Sequence, residues 1–315
     1  MQRPKKPTHA SVTRFIASII PPKANDVPFL YHVPRDPRYD PETAAVEQIV
    51  LSVTPTPAVY KLIGYPHDVD NEPNAELTAP PPRSPRPRPP RTLCFLHRPF
   101  TLDRRAIRAN TLIFSSHTSF DEVLTVGYNT ALASRLGILL DTSICVQGYK
   151  GDAERKIGIV GEVAAPQQRD VLVRRIQQVF GGTTEELLVH EGAEEEEEEI
   201  RVVAIMNAFG EDEVRRVVEL VKERGWCGDG GEDGDEDGRV GKHMLYLTGQ
   251  PRVGGMQAAT ALGMTVVCVG HRAAEEWGIR YLAQGLRTAF PGVRVEDVYE
   301  EEIPVVREKK KKVAV

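Results

Sequence analysis

No run of eighteen or more apolar residues occurs in the 315-residue chain, so a membrane-spanning helix is not expected. Paired cysteines are also missing. The four present, Cys94, Cys145, Cys227 and Cys268, lie far apart, show no CxxC spacing and follow no secretory signal peptide. A disulfide framework and a structural zinc knuckle are thereby set aside, and a reducing compartment is expected. The chain lacks a strong charge of either sign: its formal net charge is -5, and its runs of like charge stand in tracts of their own. Neither a dedicated nucleic-acid surface nor a membrane-surface role is expected from that pattern. What is present is 41% hydrophobic and 27% charged residues, enough to bury a substantial core as one large domain or two smaller ones.

The first twenty-five residues carry Arg3, Lys5, Lys6, Arg14 and Lys23 and no acid, a composition open to a mitochondrial transit role. A structural reading competes with it, because Ser11 can N-cap a short helix over Val12 to Ile20 that stops before Pro21 and Pro22. Three tracts cannot join a core. Residues from about Tyr65 to Arg91 are rich in proline and arginine and favour extended, disordered chain. The glutamate run Glu194 to Glu199 and the Gly/Asp/Glu stretch Gly228 to Gly238 read as solvated linkers. Asp233, Asp235, Asp237 and Gly238 imitate half a calcium loop, but the twelfth position is Met244, and calcium is rejected there. The run Lys309 to Lys312 reads as a solubilising tail, with nuclear import as its functional alternative.

Between these tracts short β-rich runs alternate with helix-period stretches, the pattern of an α/β fold. Strands are expected at Val46 to Val53, Thr92 to Leu96, Thr111 to Phe114, Ile200 to Met206, His243 to Leu247 and Thr265 to Val269. Helices are expected at Ser119 to Leu136, Gln168 to Phe180, Glu211 to Arg224, Gly255 to Leu262 and Ala273 to Phe290. In the third of these, Val214, Val217, Val218 and Val221 make one apolar stripe on a charged helix.

Three of the strands run apolar and then deliver a histidine: Thr92–Leu96 leads to His97, Thr111–Phe114 to His117, and Thr265–Val269 to His271. Strand C-termini line the functional crevice of open α/β sheets, so these imidazoles are candidates to converge. His117 and His271 are each followed four residues later by a carboxylate, Asp121 and Glu275, a spacing that puts both side chains on one helical face. Imidazole with carboxylate suits zinc, iron(II) or manganese, and the absence of thiolates points to an open, catalytic-type site. A lone histidine after a strand is more often a hydrogen-bonded structural residue. Two such pairs and a third histidine are harder to account for that way.

The motifs themselves resemble a known family. Phe114-Ser-Ser-His-Thr-Ser-Phe-Asp121, with Val126-Gly-Tyr-Asn-Thr-Ala-Leu-Ala-Ser-Arg-Leu-Gly137 after it, is similar to the "SAHTNLD...GGVND.LA..LG" signature of the Ngg-interacting-factor-three-like family. That family is also known as the GTP cyclohydrolase I type 2 homologues. Thr248-Gly249 resembles its "TG" motif, and Gly270-His-Arg-Ala-Ala-Glu275 with Leu282 and Leu286 resembles its "GHY.TE...L...L" ending. Val50 to Val59 looks like its first strand and turn, and Gly158 to Glu162 is similar to its "GRIGE" stretch.

The resemblance implies a two-lobed fold of mixed sheets flanked by helices, with a metal site in the cleft between lobes. The lobes would span residues 10–165 and 200–307, joined by a connecting helix and acidic linker over 166–199 and followed by a basic tail over 308–315. It also implies a closed ring of subunits, commonly a hexamer, and two neighbouring divalent metals. His97, His117, Asp121, His271 and Glu275 match the family's ligand positions.

Three departures stand out. Where the family has paired histidines before proline, this chain reads His97-Arg98-Pro99, and a guanidinium cannot bind a metal, so one ion or two becomes open. Arg98 is expected either to neutralise the carboxylates or to hold a substrate anion. Gln250-Pro-Arg-Val-Gly-Gly255 lacks the histidines common after "TG", and Asn25-Asp-Val-Pro28 is only a faint echo of the family's "WDN.GL".

The expected function is metal-dependent hydrolysis of a phosphorylated or nucleotide-like substrate, with Asp121 and Glu275 as catalytic candidates. Guanine-ring attack, as the cyclohydrolase label implies, rests on resemblance alone. The alternative is a ring-forming regulatory or scaffold protein that presents surfaces to protein partners. A cytoplasmic address is expected, with mitochondrion and nucleus left open.

Overall fold

The structure is a computed structural model and describes residues 6–65, 91–182, 186–188, 199–227 and 240–301. The expected Pro/Arg-rich insertion, the acidic linker, the calcium-like loop and the basic tail lie almost wholly outside the described residues. In chain order the elements are α1 (His9–Ile19), β1 (Leu30–His32), β2 (Gln48–Ser52), α2 (Pro57–Ile63), β3 (Thr92–Leu96), β4 (Thr111–Ser115), α3 (Thr118–Leu124), α4 (Thr130–Leu136), β5 (Ile144–Tyr149) and β6 (Asp152–Gln168). There follow α5 (Arg169–Val179), β7 (Glu186–Leu188), β8 (Glu199–Met206), α6 (Glu211–Glu223), β9 (Met244–Thr248), α7 (Val253–Ala261), β10 (Thr265–Cys268), α8 (His271–Ala289) and β11 (Arg294–Val298).

Two mixed sheets result, ordered β1-β4-β3-β2-β11 and β5-β6-β8-β9-β10-β7. The central strands β2, β3 and β4 run parallel, with Ser52, Leu96 and Ser115 in register at their C-terminal ends. In the second sheet β8, β9 and β10 are likewise parallel and end together at Met206, Thr248 and Cys268. Such strands are buried on both faces, which is why they read as unbroken apolar runs.

The sheets do not divide at the lobe boundary expected near residue 165. Strands β5 and β6, covering 144–168, pair into the second sheet, and β11 returns from beyond residue 290 to pair with β2 in the first. Long-range hydrogen-bond pairing, invisible to local periodicity, makes that assignment.

Helix α8 ties the halves together. Its first turns put Ala274 and Trp277 into the core against Ile205 and Leu247 of the second sheet. Its later turns put Ile279, Leu282, Ala283 and Leu286 against Phe95 and Phe114 of the first sheet, with Val12 and Ile16 of α1. Helix α3 lies beside it, and Gly278 permits the approach: a Cβ there would stand 2.5 Å from the Leu124 carbonyl oxygen and 2.6 Å from Phe120.

Two local expectations need correction. Helix α1 starts earlier, because Thr8 is the N-cap and Ser11 completes a capping box: Ser11 N–H donates to Thr8 Oγ1 at 3.1 Å, and Thr8 N–H to Ser11 Oγ at 2.9 Å. The single helix expected over Ser119 to Leu136 is two. The chain leaves α3 at Thr125 and folds back so tightly that a Cβ on Gly127 would be 2.6 Å from the Glu122 carbonyl oxygen. Asn129 then restarts it as α4, accepting from Leu132 N–H at 2.9 Å and donating its amide to the Thr125 carbonyl at 2.8 Å. No helix among the described residues is long and apolar enough to cross a membrane.

Candidate metal centre

His97 follows β3 and is fully buried. Its Nδ1–H donates to the Ser116 carbonyl oxygen at 3.0 Å, which fixes the tautomer and leaves the lone pair of Nε2 facing inward. Two residues past β4, His117 opens α3, and its ring stacks on that of His97 with centroids 4.8 Å apart. One turn on, Asp121 brings a carboxylate oxygen to 3.5 Å from His117 Nδ1 and the other to 3.3 Å from His97 Nε2. The Asp121 backbone is itself held, since its carbonyl accepts from Thr125 Oγ1 at 2.6 Å.

From the other sheet, α8 supplies Glu275, whose Oε1 lies 3.1 Å from His97 Nε2 and 3.2 Å from His271 Nε2. All five residues singled out in the sequence therefore form one chain of close contacts. The tightest group is His97, His117 and Asp121, each offering a ligand atom within 4.8 Å of the others, and these three could hold a metal ion.

His97 Nε2 and Glu275 Oε1 are buried 3.1 Å apart. Buried polar atoms are ordinarily paired, and either a proton on Nε2 or a cation between the two would pair them. Ligand bonds of about 2.0–2.2 Å in a tetrahedron place neighbouring donor atoms about 3.3 Å apart. The observed 3.1 Å and 3.3 Å separations around His97 Nε2 fit that spacing. The residues present thus suit a divalent cation in donor type, and His97, His117 and Asp121 also in proximity.

The electrostatics agree. Burial disfavours a charged His97, but the carboxylates of Asp121 and Glu275 outweigh it and raise its pKa to about 9. Burial likewise opposes ionisation of Glu275, yet the flanking His271 and His97 pull its pKa to about 2. His271 is raised, chiefly by Glu275, and His117 is lowered, chiefly by burial. The carboxylates attract positive charge here, and a proton on His97 is the competitor that a metal ion would displace.

Of the two roles expected for Arg98, the structure shows contact with the carboxylate: its guanidinium lies 3.1 Å from Glu275 Oε2. It is not among the residues lining the adjoining cleft. That cleft, of about 210 Å³, runs from Asp121, His271 and Glu275 to Tyr149, Arg155, Asn207 and Arg252.

Sequence reasoning missed Asp26. Its carboxylate accepts backbone N–H groups from His117 at 3.0 Å, Thr118 at 2.9 Å and Ser119 at 3.0 Å, as well as the Ser116 hydroxyl at 3.1 Å. It serves as the N-terminal cap of α3, a role His117 does not fill with its own side chain. Beside it, Lys23 reaches the buried Glu122 of α3 at 2.6 Å. The only signal was the weak echo at Asn25 to Pro28. Tyr149, Arg155 and Asn207 carried no signal.

Comparison with known proteins bears on the same segments. Residues 99–221 match the family model Duf34/NIF3 (NGG1p interacting factor 3). No curated protein sequence matches. Among solved structures, reduced HcgD from Methanocaldococcus jannaschii superposes with a TM-score of 0.53 at 15% identity, covering 92% of this chain and 97% of that one. A Bacillus cereus protein related to NIF3 gives 0.52 at 11% identity over 96% and 100% of the two chains. A Staphylococcus aureus hypothetical protein gives 0.53 at 11% identity over 96% and 100%. At these identities the structures attest the fold alone, and the family match rests on sequence. Residues 99–221 are thus similar to the Duf34/NIF3 family, and the chain around them shares the fold of these solved structures, one of them related to NIF3.

Proposed function

We propose that this protein is a divalent-metal-dependent hydrolase acting on a phosphorylated or nucleotide-like substrate. The observation that carries the reading is the convergence of His97, His117 and Asp121, each with a ligand atom within 4.8 Å of the others, with Glu275 Oε1 3.1 Å from His97 Nε2, beside an open cleft. His97, His117 and Asp121 hold the cation, with Glu275 and His271 completing the ligand set. A divalent ion, when bound, would supply Lewis acidity toward a water molecule at neutral pH.

The remaining work falls to the chain's own groups. Glu275, with a pKa near 2, is a poor proton acceptor and serves as a ligand and as the anchor of His271. His271, half-exposed at the mouth of the cleft, is the group placed to move protons between substrate and solvent. Asp121, facing the same cleft, orients the attacking water. Arg98 offsets the negative charge of Glu275 and stands where a further imidazole would serve a second ion, which favours one metal per chain. A homo-oligomeric ring belongs to the same proposal and rests on the family resemblance.

The test is elemental analysis of protein purified after metal-replete expression, followed by assay against phosphoesters and nucleotides with and without chelator. About one zinc, iron or manganese per chain is expected, with Asp121→Ala abolishing both retention and turnover. Metal content near zero overturns the metal reading. Full metal without turnover on any phosphoester or nucleotide favours the scaffold alternative.

A further inference from the structure

The cleft beside the metal centre is lined by charges of both signs. Arg155 and Arg252, from two different elements, line the same space as Asp121 and Glu275. Neither arginine forms an ion pair with any described residue, whereas Arg98 faces a carboxylate. Arg155 lies on β6, half-buried, with its guanidinium 5.6 Å from the centre of the Tyr149 ring and a buried Nε that has no hydrogen-bond partner. A cation held over an aromatic face is oriented without being neutralised. Arg252 is the N-cap residue of α7, so the positive end of that helix dipole adds to the potential at the same place.

We infer that Arg155 and Arg252 form an anion-binding subsite that takes the phosphate of a small phosphate monoester and directs the rest of the molecule toward Asp121 and His271. The inference deepens the hydrolase reading and rests on it for the identity of the reacting end.

Two guanidiniums match a phosphate dianion in charge, and each offers paired N–H donors to its oxygens. Size narrows the class. The cleft measures about 210 Å³, below the roughly 300–1,000 Å³ usual for drug-sized ligands, which favours a sugar-phosphate scale over a nucleoside triphosphate. Asn207 and Gln250, also in the lining, offer neutral amides suited to hydroxyl groups of the same ligand.

The test is calorimetric titration of the full-length protein, metal-free in chelator and metal-loaded, with ribose 5-phosphate, ribose, inorganic phosphate and GTP. Ribose 5-phosphate is expected to bind the metal-free protein at least tenfold more tightly than ribose, with inorganic phosphate between them and GTP weaker. Arg155→Gln and Arg252→Gln are each expected to weaken that binding about tenfold, as lost charge-assisted hydrogen bonds do, without changing metal stoichiometry. Arg155→Lys should recover part of the loss, and Arg38→Gln, on a distant surface, should change nothing.

Equal binding of ribose and its phosphate, or full binding by the double Arg155→Gln, Arg252→Gln variant, overturns the subsite even if metal is present. GTP binding more tightly than ribose 5-phosphate overturns the size argument. Arginine-dependent phosphate binding by a protein that takes up no metal leaves the subsite standing and removes the hydrolase reading.

Discussion

Replacing Asp26 with asparagine tests how the centre is assembled, because Asp26 touches no proposed ligand through that ligand's side chain. Its two carboxylate oxygens serve the N–H groups of Val27, His117, Thr118 and Ser119 and the Ser116 hydroxyl. These partners hold the Asp26 carboxyl below its ordinary value of 3.8 against the opposing effect of burial. Asparagine keeps the shape and one acceptor oxygen but turns an NH₂ group toward donors and removes the charge facing the start of α3. At least two donors, Ser119 N–H and Ser116 Oγ–H, then lose their acceptor. An unsatisfied donor costs about 1–3 kcal/mol when buried, and the half-exposed position lets water recover part of that.

A loss of about 2 kcal/mol is therefore expected at pH 7 for Asp26→Asn in urea unfolding followed by circular dichroism. A metal titration should show weaker binding, since His117 sits on the turn that has lost its cap. The carboxyl's folded pKa is depressed, so its stabilisation is complete above pH 3.8 and is lost as pH falls through the lowered value. The gap between native protein and variant should hold steady from about pH 5 to 8 and narrow in acid. Unfolding curves that coincide at pH 7, with equal metal affinity, would refute the reasoning that this cap builds the site.

Other outcomes follow from the centre itself. Arg98→His should raise metal content toward two ions per chain, because it restores an imidazole beside Glu275, where a guanidinium now stands; unchanged elemental analysis would tie the stoichiometry to something other than that position. Metal affinity should climb with pH up to about 9 and level off above it, because below that value carboxylate-supported His97 holds the proton that a metal ion must displace. In the metal-free protein the sign reverses: His97 has a raised folded pKa, so its contribution to stability is whole below pH 6.5 and is lost as pH rises through about 9. Thermal unfolding with and without metal at pH 6, 7.5 and 9 checks both trends, and parallel curves would count against His97 as the shared site of proton and metal.

The chain of amino acids determined a good deal by itself. Strand β3 is read at its observed bounds and β4, β8, β9 and β10 within one or two residues, because a strand buried on both faces must be apolar throughout. The three histidines at strand ends and the two acids four residues later were legible for a similar reason: both patterns are local, set by strand length and helical pitch.

Tertiary structure decided the rest. That β11 leaves the C-terminal half to pair with β2, and that β6 crosses to the second sheet, depends on hydrogen bonds between segments far apart in sequence. The break between α3 and α4 arises where Gly127 must fold onto the carbonyls of its own helix, and apolar periodicity runs straight through it. Asp26 caps a helix some ninety residues away, Arg98 meets Glu275 of a helix far along the chain, and Arg155 comes to line one cavity with Arg252. A side chain's local sequence states what it can donate or accept. Only the packing of α3 and α8 between two sheets states which group it will meet, because that packing alone brings distant carboxylates, imidazoles and guanidiniums within reach of one another.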